Sequence, residues 1–419
     1  MTDDPLALSE RLITGELPIS EHHPVMPTGR STLTELGDGL AFVDSFANVT
    51  AMVDDGRLLM VDAGGVIHAT QVHEAVRAWT DAPLETAVYT HGHVDHVFSV
   101  PLFEAEGRTP APRVVAHERV VDRFDRYRLT TGYNGVINQR QFRLAAPLFP
   151  SEFRYPDETY HDRLDVSVGG LVVELRHDRG ETDDHTWAWV PDRKLLCTGD
   201  LFIWVSPNCG NPQKAQRYPA EWAAALRKMA ELGAELLLPG HGLPIAGNGA
   251  ITRVLTTSAE YLESLVDQTL RLMNDGARLD DIIHTVEAPR HLVGLPWLQP
   301  FYDEPEFIVH NLWRLYGGWY DGNPAHLKPA PDAALAAELA ELAGGASVLA
   351  DRAIELLEAG DLRLAGHLAE LAAQAEPDDA GVHRVRARVF AERVRDEPSL
   401  MARGIYGWAA EESAGRSAG

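Results

Sequence analysis

The sequence predicts an α/β sandwich followed by an all-α region, and three observations support this. Short apolar runs separated by turns begin at Thr32, and a helical pattern and a further strand follow them, an order typical of such a sandwich. Later apolar runs end in Gly-Asp and Gly-His. From Ile251 onward the composition shifts to helix formers. We therefore expect two domains, over residues 1–250 and 251–419.

The first half of the sandwich reads as a strand meander and then a helix and a strand. Residues before about Ser31 are mixed and Pro-containing, and we expect them to form a surface arm. Asp54-Asp55-Gly56 is a hairpin signal between two strands. The apolar patterns predict strands over 40–43, 49–53, 58–62 and 86–89 and a helix over 70–79.

The second half repeats the strand pattern after a less regular stretch. Residues 101–116 are typical of a βα unit. Residues 117–149 are charged and aromatic, and two interpretations stay open for them, a lid over a site and a surface excursion. Further strands are predicted over 171–175, 186–190 and 195–198 and up to His241.

The C-terminal region has the apolar spacing of successive helices. Ala359-Gly360-Asp361 and Glu376-Pro377-Asp378 separate some of them and give a tetratricopeptide-like rhythm. At most two such units are visible, so we interpret the region as a helical bundle without chemistry of its own. The predicted helices cover 258–273, 333–344, 347–359, 362–375 and 382–394.

Composition excludes several classes of protein. The formal net charge of −25 argues against wrapping nucleic acid, which needs a basic surface. No apolar run approaches the roughly 18 residues of a membrane span. The two cysteines imply no disulfide framework, and the acidic start at Met1-Thr2-Asp3 lacks the features of a signal peptide. We expect a cytoplasmic protein without nucleic-acid or membrane partners.

Thr90-His91-Gly92-His93-Val94-Asp95-His96 places four potential metal ligands directly after an apolar run. A strand ending there delivers His91 and His93 to one side, because alternate residues of an extended segment point the same way. Asp95 and His96 follow and can turn toward a second ion. A core with three histidines and an aspartate is the other interpretation, and it is disfavoured because unpaired buried polar groups are costly.

This motif is the signature of the metallo-β-lactamase superfamily, which the chain resembles at three more places. Asp62 with Gly64 matches the superfamily's Asp-x-Gly at a strand end, Gly199-Asp200 its bridging carboxylate, and Gly240-His241 its last histidine. The resemblance implies an αββα sandwich. It also implies that Asp62 supports a metal-ligand histidine, although an ordinary strand-end turn explains this residue equally well.

Two features resemble the alkylsulfatase branch of that superfamily. Glu181 stands where the superfamily normally has its third histidine ligand. Residues 311–324 resemble part of that branch's all-α dimerisation domain, which implies a homodimer formed through the helical half. The resemblance extends from about Leu36 to Ala402.

The resemblance implies two divalent metal ions, with zinc expected and manganese or iron chemically reasonable. Asp95 and His185 are the predicted catalytic residues, Asp95 as a metal ligand and His185 as proton donor to the leaving alcohol. An alternative role for His185 is to orient a ligand. The implied ligands are His91, His93 and Glu181 for one ion, Asp95, His96 and His241 for the other, and Asp200 as the bridge.

The implied reaction is hydrolysis of a small or medium alkyl sulfate ester by a metal-bridging hydroxide or metal-activated water. Asn208 matches the branch's sulfate-binding Asn, but Gln213 occupies the matching Arg position, with Lys214 beside it and Arg217 beyond. We predict that Asn208, Lys214 and Arg217 bind the substrate, while capping of a helix near Pro219 is an open alternative for the two cations. The alternative activity is a phosphoester, lactone or thioester hydrolase.

Other features leave further alternatives. Trp204, Trp297, Phe301 and Tyr302 either face the leaving group or lie in the core. The chain stops at Gly419, so we expect neither the C-terminal domain resembling sterol carrier proteins nor the secretion signal of longer alkylsulfatases. A flavin-linked di-iron oxidoreductase would need a flavodoxin-like βαβ pattern, which the helical half does not show. A non-catalytic scaffold would not need seven intact ligands.

Overall fold

The computed structural model describes residues 4–25 and 31–417. The strands are β1 Thr32–Gly37, β2 Leu40–Asp44, β3 Val49–Asp54, β4 Arg57–Val61, β5 Leu84–Val88, β6 Arg113–His117, β7 Glu158–Tyr160, β8 Arg163–Val168, β9 Leu171–His177, β10 Thr186–Val190, β11 Leu195–Ile203, β12 Leu236–His241 and β13 Ile245–Ala246. The helices are α1 Pro5–Thr14, α2 Ala69–Trp79, α3 Val100–Glu104, α4 Arg119–Leu129, α5 Thr131–Phe142, α6 Pro219–Ala230, α7 Asn248–Asn274, α8 Leu279–Ile283, α9 Pro305–Tyr316, α10 Pro324–Leu327, α11 Asp332–Ala343, α12 Ala346–Glu358, α13 Leu362–Ala375, α14 Ala380–Arg395 and α15 Leu400–Ser417.

The chain forms two compact units. The first comprises Met1–Thr131, Pro150–Gly276 and Asp281–Gly318. The second comprises Gly132–Phe149, Ala277–Asp280 and Trp319–Gly419. A compact unit need not coincide with a domain. The predicted domain ranges 1–250 and 251–419 therefore remain a prediction.

Two sheets form the first unit, and they confirm the predicted sandwich. One sheet has seven strands in the order β1 to β7, and the other has six in the order β13-β12-β11-β10-β9-β8. In the first sheet, β4, β5, β6 and β7 run parallel, so their carboxyl ends meet at one edge. In the second sheet, β11 and β12 are parallel neighbours. Ligands of α/β proteins typically bind at such strand ends.

Apolar side chains fill the space between the sheets. Phe42, Met52 and Leu59 of the first sheet pack with Val173 and Ala188 of the second, and all five are fully buried. On the outer face of the first sheet, α2, α3 and α4 cover a second buried cluster. Burial of apolar surface stabilises a fold by about 25 cal/mol for each Å². These two buried layers therefore hold in place the strand ends that carry the polar groups.

Three local predictions were wrong. The residues before Ser31 are not a simple surface arm, because they include α1, whose Leu8 and Leu12 are buried. The unit at 101–116 has a helix before its strand rather than after it. Residues 117–149 contain α4 and α5, and Phe124 of α4 lies in the buried core of the first unit, so α4 is not a lid.

The second unit is all-α, as predicted. Its helices α11 to α14 pack through small side chains such as Ala350, Ala353, Ala369 and Ala372. The helix α15 was not predicted. No single described helix is long and apolar enough to cross a membrane, and only the pair α11 and α12, bent by 85° at its break, passes that test jointly.

Candidate metal centre

All seven predicted ligands lie together where strands of the two sheets end. The 91–96 segment follows β5, Asp200 lies in β11, and His241 ends β12. Glu181 lies in the loop between β9 and β10. These strand ends converge because the sheets pack face to face. The structure thus assembles the ligand set that the resemblance implies.

The first cluster consists of His91, His93, Glu181 and Asp200. Nε2 of His91 and Nδ1 of His93 lie 3.7 Å and 3.5 Å from Oε2 of Glu181. Nε2 of His91 is also 3.7 Å from Oδ2 of Asp200. His91 and Glu181 are almost completely buried, so these donors face one another in a site shielded from water.

The second cluster consists of Asp95, His96 and His241, and it also faces Asp200. Nε2 of His241 lies 3.4 Å from Oδ2 of Asp95 and 3.3 Å from Oδ2 of Asp200. Nε2 of His96 is 3.4 Å from Oδ1 of Asp200. Asp200 therefore faces ligand groups of both clusters, which is the position that a bridging carboxylate requires.

The donor atoms fit metal ions better than they fit one another. Nε2 of His96, Oε2 of Glu181 and Oδ1 of Asp200 are buried and have no hydrogen-bond partner among the described residues. Ligand atoms bonded to a tetrahedral zinc at about 2.0–2.1 Å stand roughly 3.3–3.4 Å apart. The separations of 3.3–3.8 Å between imidazole nitrogens and carboxylate oxygens are close to that spacing, whereas Nε2 of His91 and Nδ1 of His93 are closer, at 2.8 Å.

Contacts on the far side of the imidazoles fix their orientation. Nδ1 of His96 lies 2.8 Å from Oδ2 of Asp62, the second-layer contact that the resemblance implied. Asp62 itself accepts hydrogen bonds from the backbone N–H and the hydroxyl of Thr90 at 2.8 and 2.9 Å. Nδ1 of His241 contacts the carbonyl of Phe46. Such contacts leave Nε2 directed at the cluster, as in protein metal sites.

Burial keeps the two imidazoles of the first cluster in the protonation state that metal binding needs. It holds the pKa values of His91 and His93 well below the usual value, and neighbouring imidazoles or arginines lower them further. Both rings are therefore neutral near pH 7 and have a lone pair to offer. Burial also raises the pKa of Glu181, while Arg217 opposes that shift.

The position of His185 favours an orienting role over the predicted proton donation. The ring is completely buried, and its Nε2 accepts a hydrogen bond from the backbone N–H of Asp200 at 3.1 Å. Its Nδ1 lies 3.1 Å from the carbonyl of Thr186. Burial lowers its pKa to about 3, so the ring is neutral near pH 7 and its one N–H faces the Thr186 carbonyl. Both nitrogens thus face the fold.

The three predicted substrate-binding residues lie beside Glu181. Nδ2 of Asn208 donates to Oε1 of Glu181 at 2.8 Å, and the buried guanidinium of Arg217 contacts the same oxygen. Burial and Arg217 lower the pKa of the half-buried Lys214 to about 8, while Asp95 and Glu181 oppose the shift. Arg217 is therefore an ion-pair partner of a ligand carboxylate and not a helix cap.

A second arginine was missed by the sequence reasoning. Nε of the buried Arg123 donates to Oδ2 of Asp184 at 2.6 Å, and the same oxygen accepts the backbone N–H of Gly92 at 3.0 Å. Gly92 stands between His91 and His93. Arg123 and Asp184 thus brace the ligand loop. Neither residue belongs to a motif, so the sequence offers no signal for this contact.

The aromatic residues divide between core and site. Trp204 and Trp297 are fully buried, and their indole N–H groups donate to the carbonyl of Leu243 and the hydroxyl of Thr257. These two belong to the core. Tyr302 is also buried, and its pKa is raised to about 12 by burial, with the charges of metal-cluster side chains such as Asp95 and Asp200 adding to the shift. Tyr302 is therefore the predicted aromatic residue whose hydroxyl interacts electrostatically with the metal-cluster side chains.

Fold and site define a metallo-β-lactamase-type α/β protein, and family comparison agrees. Residues 43–241 match the model of the metallo-beta-lactamase superfamily, and residues 278–415 match that of alkyl sulfatase dimerisation. The chain is thus similar in both halves to the alkylsulfatase-like branch of the metallo-β-lactamase superfamily.

Individual relatives support this placement. A linear primary-alkylsulfatase from a Pseudomonas strain is 28% identical over 80% of this chain and 67% of its own length. An (R)-specific secondary-alkylsulfatase from Pseudomonas sp. is 23% identical over 86% of this chain and 59% of its own. The solved structure of a stereoselective inverting secondary alkylsulfatase from Pseudomonas sp. superposes with a TM-score of 0.83 at 22% identity, covering 92% of this chain and 66% of that one. The chain spans about half to two thirds of the length of the curated alkylsulfatases that it matches.

Proposed function

We propose that the protein is a metal-dependent hydrolase of alkyl sulfate esters. The observation that carries this proposal is the pair of buried ligand clusters that share Asp200, in a chain whose relatives are named alkylsulfatases. We propose two divalent ions, most simply zinc, held by His91, His93 and Glu181 on one side and by Asp95, His96 and His241 on the other. Bound divalent ions activate water for attack and stabilise negative charge on an ester.

The chain's own residues have separable tasks in this proposal. Asp62 fixes the ring of His96, and His185 fixes the backbone of Asp200. These contacts hold the ligand atoms at their spacing before substrate arrives, and such preorganisation is a main source of catalytic power. His185 is thus a positioning residue in this mechanism.

Glu181 and Arg217 together explain how a carboxylate replaces the usual histidine. Two divalent ions bring four positive charges, and the three ligand carboxylates remove three of them. Arg217 contacts Oε1 of Glu181 and thereby adds one positive charge next to the site. The site therefore keeps the charge that a neutral imidazole would have left, and a positive field favours an anionic sulfate ester.

Lys214 is the side chain that we propose to contact the sulfate directly. Lys214 is half-buried and lies within electrostatic range of Asp95 and Glu181, one residue from each ligand cluster. An ammonium group binds sulfate as a point charge, without the bidentate geometry of an arginine.

A matched substrate panel tests the proposal. Metal-loaded protein would be given octyl sulfate, octyl phosphate, an octanoate thioester and a lactone, with product and inorganic anion measured separately. We expect kcat/KM for octyl sulfate to exceed the other values by at least about tenfold, since about 1.4 kcal/mol of transition-state preference gives that ratio. Equal or faster turnover of the phosphate, thioester or lactone would overturn the sulfatase assignment.

A further inference from the structure

A third cluster of side chains that could bind a metal lies at the same sheet edge as the metal centre. His117 ends β6, Glu118 follows it, and His161 follows β7. The two strands are parallel, and the backbone N–H of Glu118 donates to the carbonyl of Tyr160 at 3.0 Å. The carboxyl ends of these strands therefore bring the three side chains together, as the end of β5 does for the 91–96 segment.

The ligand atoms of this cluster are already close. One atom from each of His117, Glu118 and His161 lies within 4.8 Å of the other two. Nδ1 of His161 is 2.7 Å from Oε1 of Glu118. The His161 and Glu118 side chains are 71% and 51% exposed, whereas His117 is 1% exposed. The cluster thus has one fixed buried ligand and two outer ligands open to solvent.

His117 is held in place but is not committed to a short hydrogen bond. Its Nδ1 accepts the backbone N–H of Arg119 at 3.3 Å, a long contact, and its Nε2 is buried without a hydrogen bond to any described residue. The ring stacks on His177 with centroids 3.7 Å apart and an angle of 12° between the planes. Burial lowers its pKa to about 4, so the imidazole is neutral and has one lone pair. The tautomer with its hydrogen on Nδ1 gives up the long contact with Arg119 and leaves the lone pair on Nε2 for an ion.

We propose that His117, Glu118 and His161 form a further binding site for a divalent transition-metal ion such as zinc. Two imidazoles and one carboxylate are a donor set that zinc accepts, with water completing the tetrahedron. The net charge of −25 attracts cations to the surface. An ion at this site replaces the contact between His161 and Glu118 and gives the buried ring a partner. The site shares no ligand with the two clusters around Asp200 and does not depend on the proposed function.

A surface histidine paired with one carboxylate is common and does not by itself bind metal. His326 and Asp321 are such a pair in this chain, with Nδ1 and Oδ2 2.5 Å apart and no third ligand group near them among the described residues. The third ligand, His117, is what distinguishes the proposed site. His326 therefore provides the matched control for His161.

The test is a count of bound metal. Wild type, His161→Ala, Glu118→Gln and His326→Ala would be equilibrated with the same micromolar concentration of free Zn²⁺, and zinc per chain would be measured by mass spectrometry. We expect wild type and His326→Ala to bind one equivalent more than His161→Ala and Glu118→Gln. The difference does not depend on how many ions the other centre holds.

Cobalt provides an independent reading of the same site. Co²⁺ added to chelator-stripped wild type and His326→Ala would give visible absorption bands that include those of a nitrogen–oxygen site, and this part of the absorption would be missing in His161→Ala. His161 and Glu118 are exposed, so their variants should fold, and circular dichroism would verify this. Equal zinc content in wild type, His161→Ala and Glu118→Gln would overturn the proposal, as would cobalt spectra that the substitutions leave unchanged.

Discussion

The two oxygens of the Glu181 carboxylate contact different groups. Its Oε2 faces the imidazoles of His91 and His93, whereas its Oε1 accepts from Asn208 and contacts Arg217. The family resemblance predicted Glu181 as a ligand because the residue stands at the position of the superfamily's third histidine. Asn208 and Arg217 reach Glu181 only because the loop after β11 folds back toward it. The sequence therefore shows that these two residues are present but does not show that they contact Glu181.

Lys214 gives a prediction about substrate binding. Lys214→Ala should lower kcat/KM for an alkyl sulfate roughly 10- to 100-fold, because a hydrogen bond to a charged group contributes about 1.5–3 kcal/mol. An uncharged lactone should react nearly unchanged, and Lys214→Arg should retain most of the sulfate activity. An equal loss for both substrates would show that Lys214 supports the fold rather than the anion.

The same residue gives a pH dependence with a definite sign. Burial lowers the Lys214 pKa to about 8, so the side chain is charged below that pH and neutral above it. The kcat/KM value for a sulfate ester should therefore fall as the pH rises through about 8. In Lys214→Arg the guanidinium stays charged, and this decline should disappear from the pH profile. A decline that persists in the arginine variant would assign it to another group.

Arg123 gives a prediction about the brace of the ligand loop. Arg123→Met leaves the carboxylate of Asp184 buried without its cation, and breaking such a pair costs about 3–5 kcal/mol. We expect a lower unfolding midpoint and less bound metal. Arg119→Met is the matched control, because Arg119 is 52% exposed and 3.8 Å from Asp183. Wild-type stability and metal content in Arg123→Met would contradict the bracing role.

At the scale of elements, the strands that end at the site were predicted best. Apolar runs followed by a polar turn gave β2, β3, β10 and β12 to within about a residue at each end. The prediction failed for α1, α4 and α15. The glycine-containing α15 lacks a clear apolar stripe, whereas the short stripe of Val120, Phe124 and Tyr127 in α4 lies among many charged residues. α4 is helical because Val120 and Phe124 pack onto the first sheet. That partner lies far away in the sequence and cannot be read from the local pattern.

Close contact between two strand ends gives a prediction about β11 and β12. A Cβ atom on Gly240 would overlap Oδ1 of Asp200 and crowd the backbone of Gly199. Gly240→Ala should therefore displace the shared carboxylate, cost about 1–3 kcal/mol and reduce bound metal. Gly249→Ala in α7 meets nothing within 4 Å and should be neutral or slightly stabilising. Full metal content in Gly240→Ala would show that Asp200 tolerates displacement.

At the scale of the whole molecule, the sequence predicted a sandwich and a helical region but not the composition of the compact units. Residues 132–149 belong to the same unit as α11 to α15, although they lie between strands of the sandwich. Gly404 of α15 packs against the backbone of Gln141 within that unit. Contacts between segments so distant in the chain depend on tertiary packing, so the sequence alone does not show that 132–149 pack with α15.

The match of residues 278–415 to an alkyl sulfatase dimerisation model leads us to propose a homodimer. Light scattering should give about twice the chain mass of 46.0 kDa across the micromolar range. Stable homodimers commonly bury more than about 2,000 Å² and persist at such concentrations. A mass of one chain throughout that range would refute the dimer while leaving the metal centre untouched.

The most direct test of the central claim measures bound metal and released sulfate in the same samples. Protein stripped with a chelator would receive zinc in steps, and sulfate release from an alkyl sulfate would be followed at each step. We expect no release without metal, release that rises with zinc until both ligand clusters are filled, and no recovery in His93→Ala. Full sulfate release by metal-free protein would contradict the account, and so would fully loaded protein that releases no sulfate from any alkyl sulfate.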